Sequence, residues 1–222
     1  MNKRLVTIGL IILAVSLVLA LVVSLARKIK IDEFRPAAVM FVVDSSASNQ
    51  AKLPEQKKTL RQICSILDPE DQIKIIKVSE DSYLIYEGTP HNNSGITKAM
   101  DAFTEFAPED YGTAYGVGLK KAMNHALTMY GEGYIPAVVV IGDLENEGAV
   151  EKQINWDTLA QNVANVKAQA PELSMMFLYA HPEKLDKVKE ILTPVLGETK
   201  LVISPEQTID KSIRKFLHAI GR

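Results

Sequence analysis

Three polar clusters in the sequence contain oxygen-bearing side chains of the kind that bind divalent cations. The first is Asp44-Ser45-Ser46-Ala47-Ser48, in which a carboxylate and two hydroxyls occupy every second position. Residues two apart in extended backbone project to the same side, so Asp44, Ser46 and Ser48 are expected to converge on one point. One carboxylate and two hydroxyls form a hard-oxygen ligand set of the kind that Mg²⁺, Mn²⁺ and Ca²⁺ take.

Two later clusters supply the other candidate ligands. Thr113 lies in Tyr111-Gly112-Thr113-Ala114-Tyr115-Gly116, a loop just ahead of a predicted helix. Asp143 follows the apolar run 137–141 by two residues. Both positions fall where the crevice of an α/β sheet is expected, so they are candidates for the same site as the first cluster.

Each candidate ligand also has a purely structural interpretation. The hydroxyl of Ser46 or Ser48 could cap the helix that follows, and Thr113 could cap the helix that starts at Ala114. Asp143 could start a turn. Capping and turn formation do not explain why all these residues occur together, in this order, at the ends of buried strands. Their joint occurrence therefore favours a metal site.

The segments that must position these clusters alternate between apolar strands and amphipathic helices, which is typical of an α/β fold. The run 37–43 is continuously apolar, as expected for a central strand. The strands predicted at 73–78 and 83–86 are joined by a polar link too short for a parallel crossover, so one of them should be an antiparallel edge strand. Further strands are predicted at 137–141, 175–179 and 201–203, and helices at 53–67, 96–106, 114–130, 156–170, 182–195 and 205–219. The sequence thus predicts a doubly wound, mostly parallel six-stranded sheet with one antiparallel edge strand.

The sequence resembles the metal-ion-dependent adhesion site of the von Willebrand factor type A domain at five positions: Asp44, Ser46, Ser48, Thr113 and Asp143. That family places D-x-S-x-S after its first strand, a Thr in a later loop and an Asp after its fourth strand, and the resemblance extends over about residues 37–222. It implies a divalent cation, Mg²⁺ first with Mn²⁺ or Ca²⁺ as alternatives, bound directly by both Ser and usually the Thr and often through water by the Asp residues. One coordination position stays open for a Glu or Asp of a partner protein. The family commonly has Thr-Asp-Gly where this chain has Gly142-Asp143-Leu144.

An apolar segment without any charged residue runs from Leu5 to Ala26. Its length is close to the roughly 20 residues that a helix needs to cross a bilayer. We therefore predict a transmembrane anchor at 1–27, a linker at 28–36 and a soluble domain at 37–222, which together make a single-pass membrane protein. A short basic N-terminus ahead of an apolar run also begins exported proteins, so we expect the domain on the outer side. A cleaved signal peptide ending at Ser24-Leu25-Ala26 and a buried core helix are the alternatives.

Binding explains the predicted site better than catalysis, because no His or Lys neighbours the clusters to act as acid or base. A net charge of −2 with scattered Lys and Arg argues against a nucleic-acid partner. The single Cys64 excludes a disulfide within the chain and a thiolate zinc site. We predict a membrane-tethered, metal-dependent protein-binding module that is not an enzyme. The alternatives are a phosphohydrolase with Asp44 as nucleophile, although the usual second Asp is Ser46 here, and an assembly factor that needs no metal.

Overall fold

The computed structural model describes residues 35–103, 112–204 and 208–222, and Arg35–Arg222 form one compact unit. The strands are β1 (Ala37–Asp44), β2 (Gln72–Val78), β3 (Ser82–Gly88), β4 (Ile135–Ile141), β5 (Ser174–Leu178) and β6 (Leu201–Ser204). The helices are α1 (Leu53–Ile66), α2 (Asn93–Asp101), α3 (Tyr115–Gly131), α4 (Trp156–Gln169), α5 (Pro182–Leu196) and α6 (Ile209–Ala219). Short 3₁₀ turns occupy Ala47–Lys52 and Val150–Lys152.

The six strands form one sheet in the order β3-β2-β1-β4-β5-β6. Only the β2–β3 pair is antiparallel, and β3 lies at the edge, as the short link between these strands predicts. The predicted mixed six-stranded sheet is therefore confirmed. Strand β1 lies between β2 and β4, and all eight of its residues are buried.

Hydrophobic cores cover both faces of the sheet, and alternate residues of β1 contribute to each. Met40 and Val42 pack in the core that includes α3, α4 and α5. Phe41 and Val43 pack in the core that includes α1, α2 and α6. The helix that follows β1, α1, packs on one face of the sheet, whereas the helix that follows β4, α4, packs on the other face. The chain therefore leaves the two neighbouring strands toward opposite faces. Ligand crevices of doubly wound sheets lie at such a point, beyond the carboxyl ends of the strands.

Several element boundaries differ from the sequence prediction by a few residues, and two of these differences have an identifiable cause. Helix α2 begins at Asn93 rather than 96 because the Asn92 side chain accepts a hydrogen bond from the Gly95 backbone N–H at 3.1 Å and caps the helix. Strand β5 ends at Leu178 rather than 179 because Tyr179 adopts a φ of 68°, which breaks the extended backbone.

The predicted anchor from Leu5 to Ala26 and most of the predicted linker lie outside the described residues. Within 35–103, 112–204 and 208–222, none of the helices combines the length and the apolar character that crossing a bilayer requires.

Candidate metal site

Asp44 is the last residue of β1, and its carboxylate is fully buried. Its Oδ1 accepts a hydrogen bond from the Ser46 backbone N–H at 2.8 Å, and its Oδ2 accepts one from the Tyr115 hydroxyl at 3.0 Å. The Ser45 backbone N–H donates to Val78 O at 2.8 Å, so the chain stays attached to β2 for one residue beyond the strand. These bonds fix the carboxylate in one orientation.

The two serines of the first cluster lie side by side, although Ser48 belongs to a 3₁₀ turn and not to the extended backbone that the sequence analysis assumed. The Oγ atoms of Ser46 and Ser48 are 3.1 Å apart, with Ser46 fully buried and Ser48 exposed. Ser46 occupies the N-cap position of the 3₁₀ turn Ala47–Lys52, but its side chain does not cap it. The helix-cap interpretation of Ser46 is therefore wrong.

Thr113 is almost completely buried just before α3. Within the described part of the chain its hydroxyl has no hydrogen-bond partner, and it does not cap α3. Its backbone N–H donates to Glu147 O at 3.0 Å, and a Glu147 carboxylate oxygen lies 3.5 Å from the Ser48 hydroxyl. Glu147 therefore links Thr113 to Ser48, and the Thr113 hydroxyl forms no hydrogen bond with the residues that the structure describes.

Asp143 follows β4 and is 5% exposed. Its Oδ1 accepts a hydrogen bond from the Glu145 backbone N–H at 2.9 Å, so the turn interpretation holds for one of its oxygens. Its backbone carbonyl accepts from the His181 N–H at 3.3 Å. The Glu145 carboxylate forms an ion pair with the Lys184 ammonium at 3.3 Å.

Comparisons with known proteins agree with this fold. Residues 39–146 match the family model of the von Willebrand factor type A domain. The conserved hypothetical protein BatB from Bacteroides thetaiotaomicron superposes with a TM-score of 0.58 at 15% identity, covering 84% of this chain and 100% of that one. The fold of this chain is that of the von Willebrand factor type A domain. A search of curated proteins gave no significant match.

Other solved structures share the von Willebrand factor type A fold. Proximal thread matrix protein 1 from the mussel byssus, solved with zinc in its MIDAS motif, gives a TM-score of 0.53 at 10% identity over 83% of this chain and 48% of that one. This chain thus spans about half the length of the mussel protein. An aerotolerance-related membrane protein from Bacteroides fragilis gives 0.54 at 17% identity over 81% and 99%. At these identities the likeness shows the fold alone.

The electrostatics of the site leave the negative charge of Asp44 incompletely compensated. Burial, followed by the charge of Asp143, raises the pKa of the Asp44 carboxyl to about 7, against the hydrogen bonds from Ser46 and Tyr115 that lower it. Burial and the charge of Asp44 also raise the pKa of Tyr115, which keeps its hydroxyl a neutral donor. A cation at this position would favour the ionised form of the Asp44 carboxyl and so oppose the rise in its pKa.

The donor set fits a hard divalent cation. The buried carboxylates of Asp44 and Asp143 repel each other, and the Ser46 hydroxyl lies beside Asp44 and 3.1 Å from the Ser48 hydroxyl. The buried Thr113 hydroxyl has no hydrogen-bond partner among the described residues. Among the described residues, no three His, Cys, Asp or Glu side chains form a cluster that could hold a metal. A cation here would therefore depend on hydroxyl or water oxygens for its remaining contacts. This oxygen-only set suits Mg²⁺, Mn²⁺ or Ca²⁺ better than a metal that prefers nitrogen and sulfur.

The sequence analysis missed the residues that hold this site in place. Asn49 and Gln56 are buried and exchange two amide hydrogen bonds of 2.9 Å, and Asn49 also donates to Asp44 O at 3.0 Å. The pair ties the loop after β1 to α1. Tyr115 likewise joins α3 to Asp44. Their polar types were visible in the sequence, but amide and phenol groups are common in helices, and only the tertiary fold gives them these partners.

Proposed function

We propose that this chain is a membrane-tethered protein-binding module that engages its partner through a divalent cation. Asp44, Ser46, Ser48, Thr113 and Asp143 hold the cation, and a Glu or Asp side chain of the partner completes its coordination. The family match and the shared fold support the coarser statement of a metal-dependent interaction module.

One observation carries the proposal: the buried Thr113 hydroxyl has no hydrogen-bond partner among the described residues. Leaving a buried hydroxyl unsatisfied costs about 1–3 kcal/mol. Two other contacts involve the same clusters. The Ser46 and Ser48 hydroxyls lie 3.1 Å apart, and Tyr115, two residues after Thr113, donates a hydrogen bond to the buried Asp44 carboxylate. A cation bound by this hydroxyl satisfies Thr113 and screens the two carboxylates from each other.

We propose Mg²⁺ as the resident cation, with Mn²⁺ and Ca²⁺ as alternatives, because all the candidate ligands are oxygens. When bound, the cation supplies a positive charge beside the acidic side chains of Asp44 and Asp143, which allows a carboxylate of the partner to bind there. Ser48 is exposed, so the site is accessible from that side. Val150, the first residue of the 3₁₀ turn Val150–Lys152, is 79% exposed three residues after Glu147 and offers an apolar contact for a partner.

We propose a binding role rather than hydrolysis for Asp44. Both of its oxygens accept hydrogen bonds from the protein, which supports a fixed charge rather than an attacking nucleophile. The position two residues on, where phosphohydrolases of this type place a second Asp, is Ser46, whose hydroxyl lies against Ser48.

We propose that the segment from Leu5 to Ala26 anchors the domain outside the cytoplasm. Support comes from its uncharged length and from the membrane protein of Bacteroides fragilis that shares the fold. The expected result is that the intact chain stays in the membrane pellet after alkaline carbonate washing, and that protease added to spheroplasts degrades the domain. Release of the chain by carbonate would refute the anchor. Protection of the domain from protease would show that the domain lies on the cytoplasmic side instead.

Affinity capture of the intact chain from solubilised membranes tests the binding role. We expect a partner to be recovered in Mg²⁺ and lost in chelator. Thr113→Ala should reduce recovery in Mg²⁺ about tenfold or more, since removing groups that support a metal site costs 10–100-fold in affinity. Thr128→Ala is the matched control, because Thr128 is exposed on α3 and bonds only the Asn124 carbonyl. Equal recovery in Mg²⁺ and chelator would instead indicate a metal-independent assembly factor.

A further inference from the structure

The Tyr115 hydroxyl connects two of the three clusters that form the site. It donates to Asp44 Oδ2 at 3.0 Å and accepts a hydrogen bond from the Leu144 backbone N–H at 3.3 Å. The side chain is completely buried at the start of α3. A single hydroxyl thus links the end of β1 to the loop that contains Asp143.

Gly142 leaves the space that this hydroxyl occupies. A Cβ atom at residue 142 would lie 2.0 Å from the Tyr115 hydroxyl and 2.4 Å from Asp44 Cβ. The backbone of Gly142 also has a φ of 154°, which side-chain-bearing residues rarely adopt. The Thr that the family commonly has at this position is therefore incompatible with Tyr115 in this arrangement.

Leu144 is the second departure from the family pattern, and it depends on the same hydroxyl. Its φ is 62°, in the left-handed region, where the family's glycine has no steric penalty but a leucine does. The side chain is fully buried in the core, and its N–H bonds to Tyr115. Packing and this hydrogen bond together hold the strained residue in place.

We propose that Tyr115 is a positioning residue of the metal site, whose hydroxyl, supplied from α3, replaces the hydroxyl that the family carries at residue 142. It holds Asp44 and the Asp143 loop at a fixed separation, so that both carboxylates are already oriented when the cation arrives. The inference rests on the proposed function, because it assigns a role within the same site.

The physical basis is preorganisation. Two buried carboxylates repel each other and move apart unless other groups hold them. Without the Tyr115 hydroxyl, Asp44 Oδ2 loses its donor and the Leu144 N–H loses its acceptor, so the loop after β4 is free to relax. Cation binding must then restore the geometry, and the affinity falls. Groups that orient ligands in this way change metal affinity by about 10–100-fold.

Calorimetric titration of the intact chain in detergent with Mn²⁺ tests the role. We expect Tyr115→Phe to weaken Mn²⁺ binding about tenfold relative to wild type. Tyr179→Phe is the matched control: its hydroxyl is also buried, and it bonds Thr59 Oγ1 at 2.7 Å instead of a candidate ligand. Wild-type Mn²⁺ affinity in Tyr179→Phe then shows that loss of a buried tyrosine bond alone does not weaken the site.

The outcomes are distinguishable. If wild type binds Mn²⁺ and Tyr115→Phe binds it equally well, or if both tyrosine variants weaken it equally, the positioning role is overturned while the metal site stands. If wild type binds none, the proposed function itself fails. A separate measurement in chelator tests whether the Tyr115 hydroxyl fills the space beside Gly142. Gly142→Ala should lower the Tm in both backgrounds, and the loss should be smaller by about 2–4 °C in Tyr115→Phe than in wild type. Equal losses would contradict it.

Discussion

Saturating Mg²⁺ is expected to raise the Tm of the wild-type domain by about 5–10 °C, and Asp44→Asn is expected to abolish this rise. A ligand that binds only the folded state stabilises it by about 2.7 kcal/mol at 100 times its Kd. For a domain of this size each kcal/mol shifts the Tm by roughly 2–4 °C. Differential scanning calorimetry with Mg²⁺ and with chelator measures the effect.

The same variant should behave differently without the cation. In chelator, buried Asp44 lies near Asp143 and its negative charge is unfavourable, so the neutral isostere should be at least as stable as wild type. Asp186→Asn, on the exposed face of α5, is the control and should keep the full Mg²⁺ response. A Mg²⁺ response retained by Asp44→Asn would show that the cation binds elsewhere.

Replacing Arg222 by Ala is expected to lower the free energy of unfolding by about 3–5 kcal/mol, the usual cost of removing one partner of a buried ion pair. The Arg222 side chain is 6% exposed and pairs with Asp71, which is fully buried, and with Asp68 at 2.9 Å. It also donates to Arg35 O at 3.2 Å. One guanidinium thus joins the end of the chain to the residues that precede β1 and β2. Urea denaturation measures the loss.

A surface ion pair provides the control for this prediction. Lys187 and Glu190 are 3.0 Å apart on the exposed side of α5. Lys187→Ala should change the stability by no more than about 1 kcal/mol, because exposed pairs are screened by solvent. If Arg222→Ala cost as little as Lys187→Ala, the buried pair would not hold the two ends of the domain together.

The fold was largely predictable from the sequence, because its central strands are continuous apolar runs. The run 37–43 has no polar face, which indicates burial on both sides, and the short link before β3 excludes a parallel crossover. The ends of helices and strands were less predictable. The Asn92 cap and the left-handed Tyr179 depend on single side chains and backbone angles that periodicity does not encode.

The candidate ligands could be proposed from the sequence, whereas their supports could not. Spacing brings Ser46 and Ser48 together through local geometry alone. The Tyr115 bridge joins residues 71 positions apart, and the Arg222–Asp71 pair joins residues 151 apart. Such contacts form only when the folded sheet has brought distant segments together. Residue type and spacing therefore do not predict them. Residue type alone likewise does not show that the Tyr115 hydroxyl occupies the space that a side chain at Gly142 would need.

The most direct test of the central claim is calorimetric titration of Mg²⁺ into the intact wild-type chain in detergent, in parallel with Asp44→Asn and Thr113→Ala. We predict one Mg²⁺ bound per chain, with binding lost in Asp44→Asn and weakened about tenfold or more in Thr113→Ala. Absence of Mg²⁺, Mn²⁺ and Ca²⁺ binding by the folded wild-type chain, or binding unchanged in both variants, would contradict it.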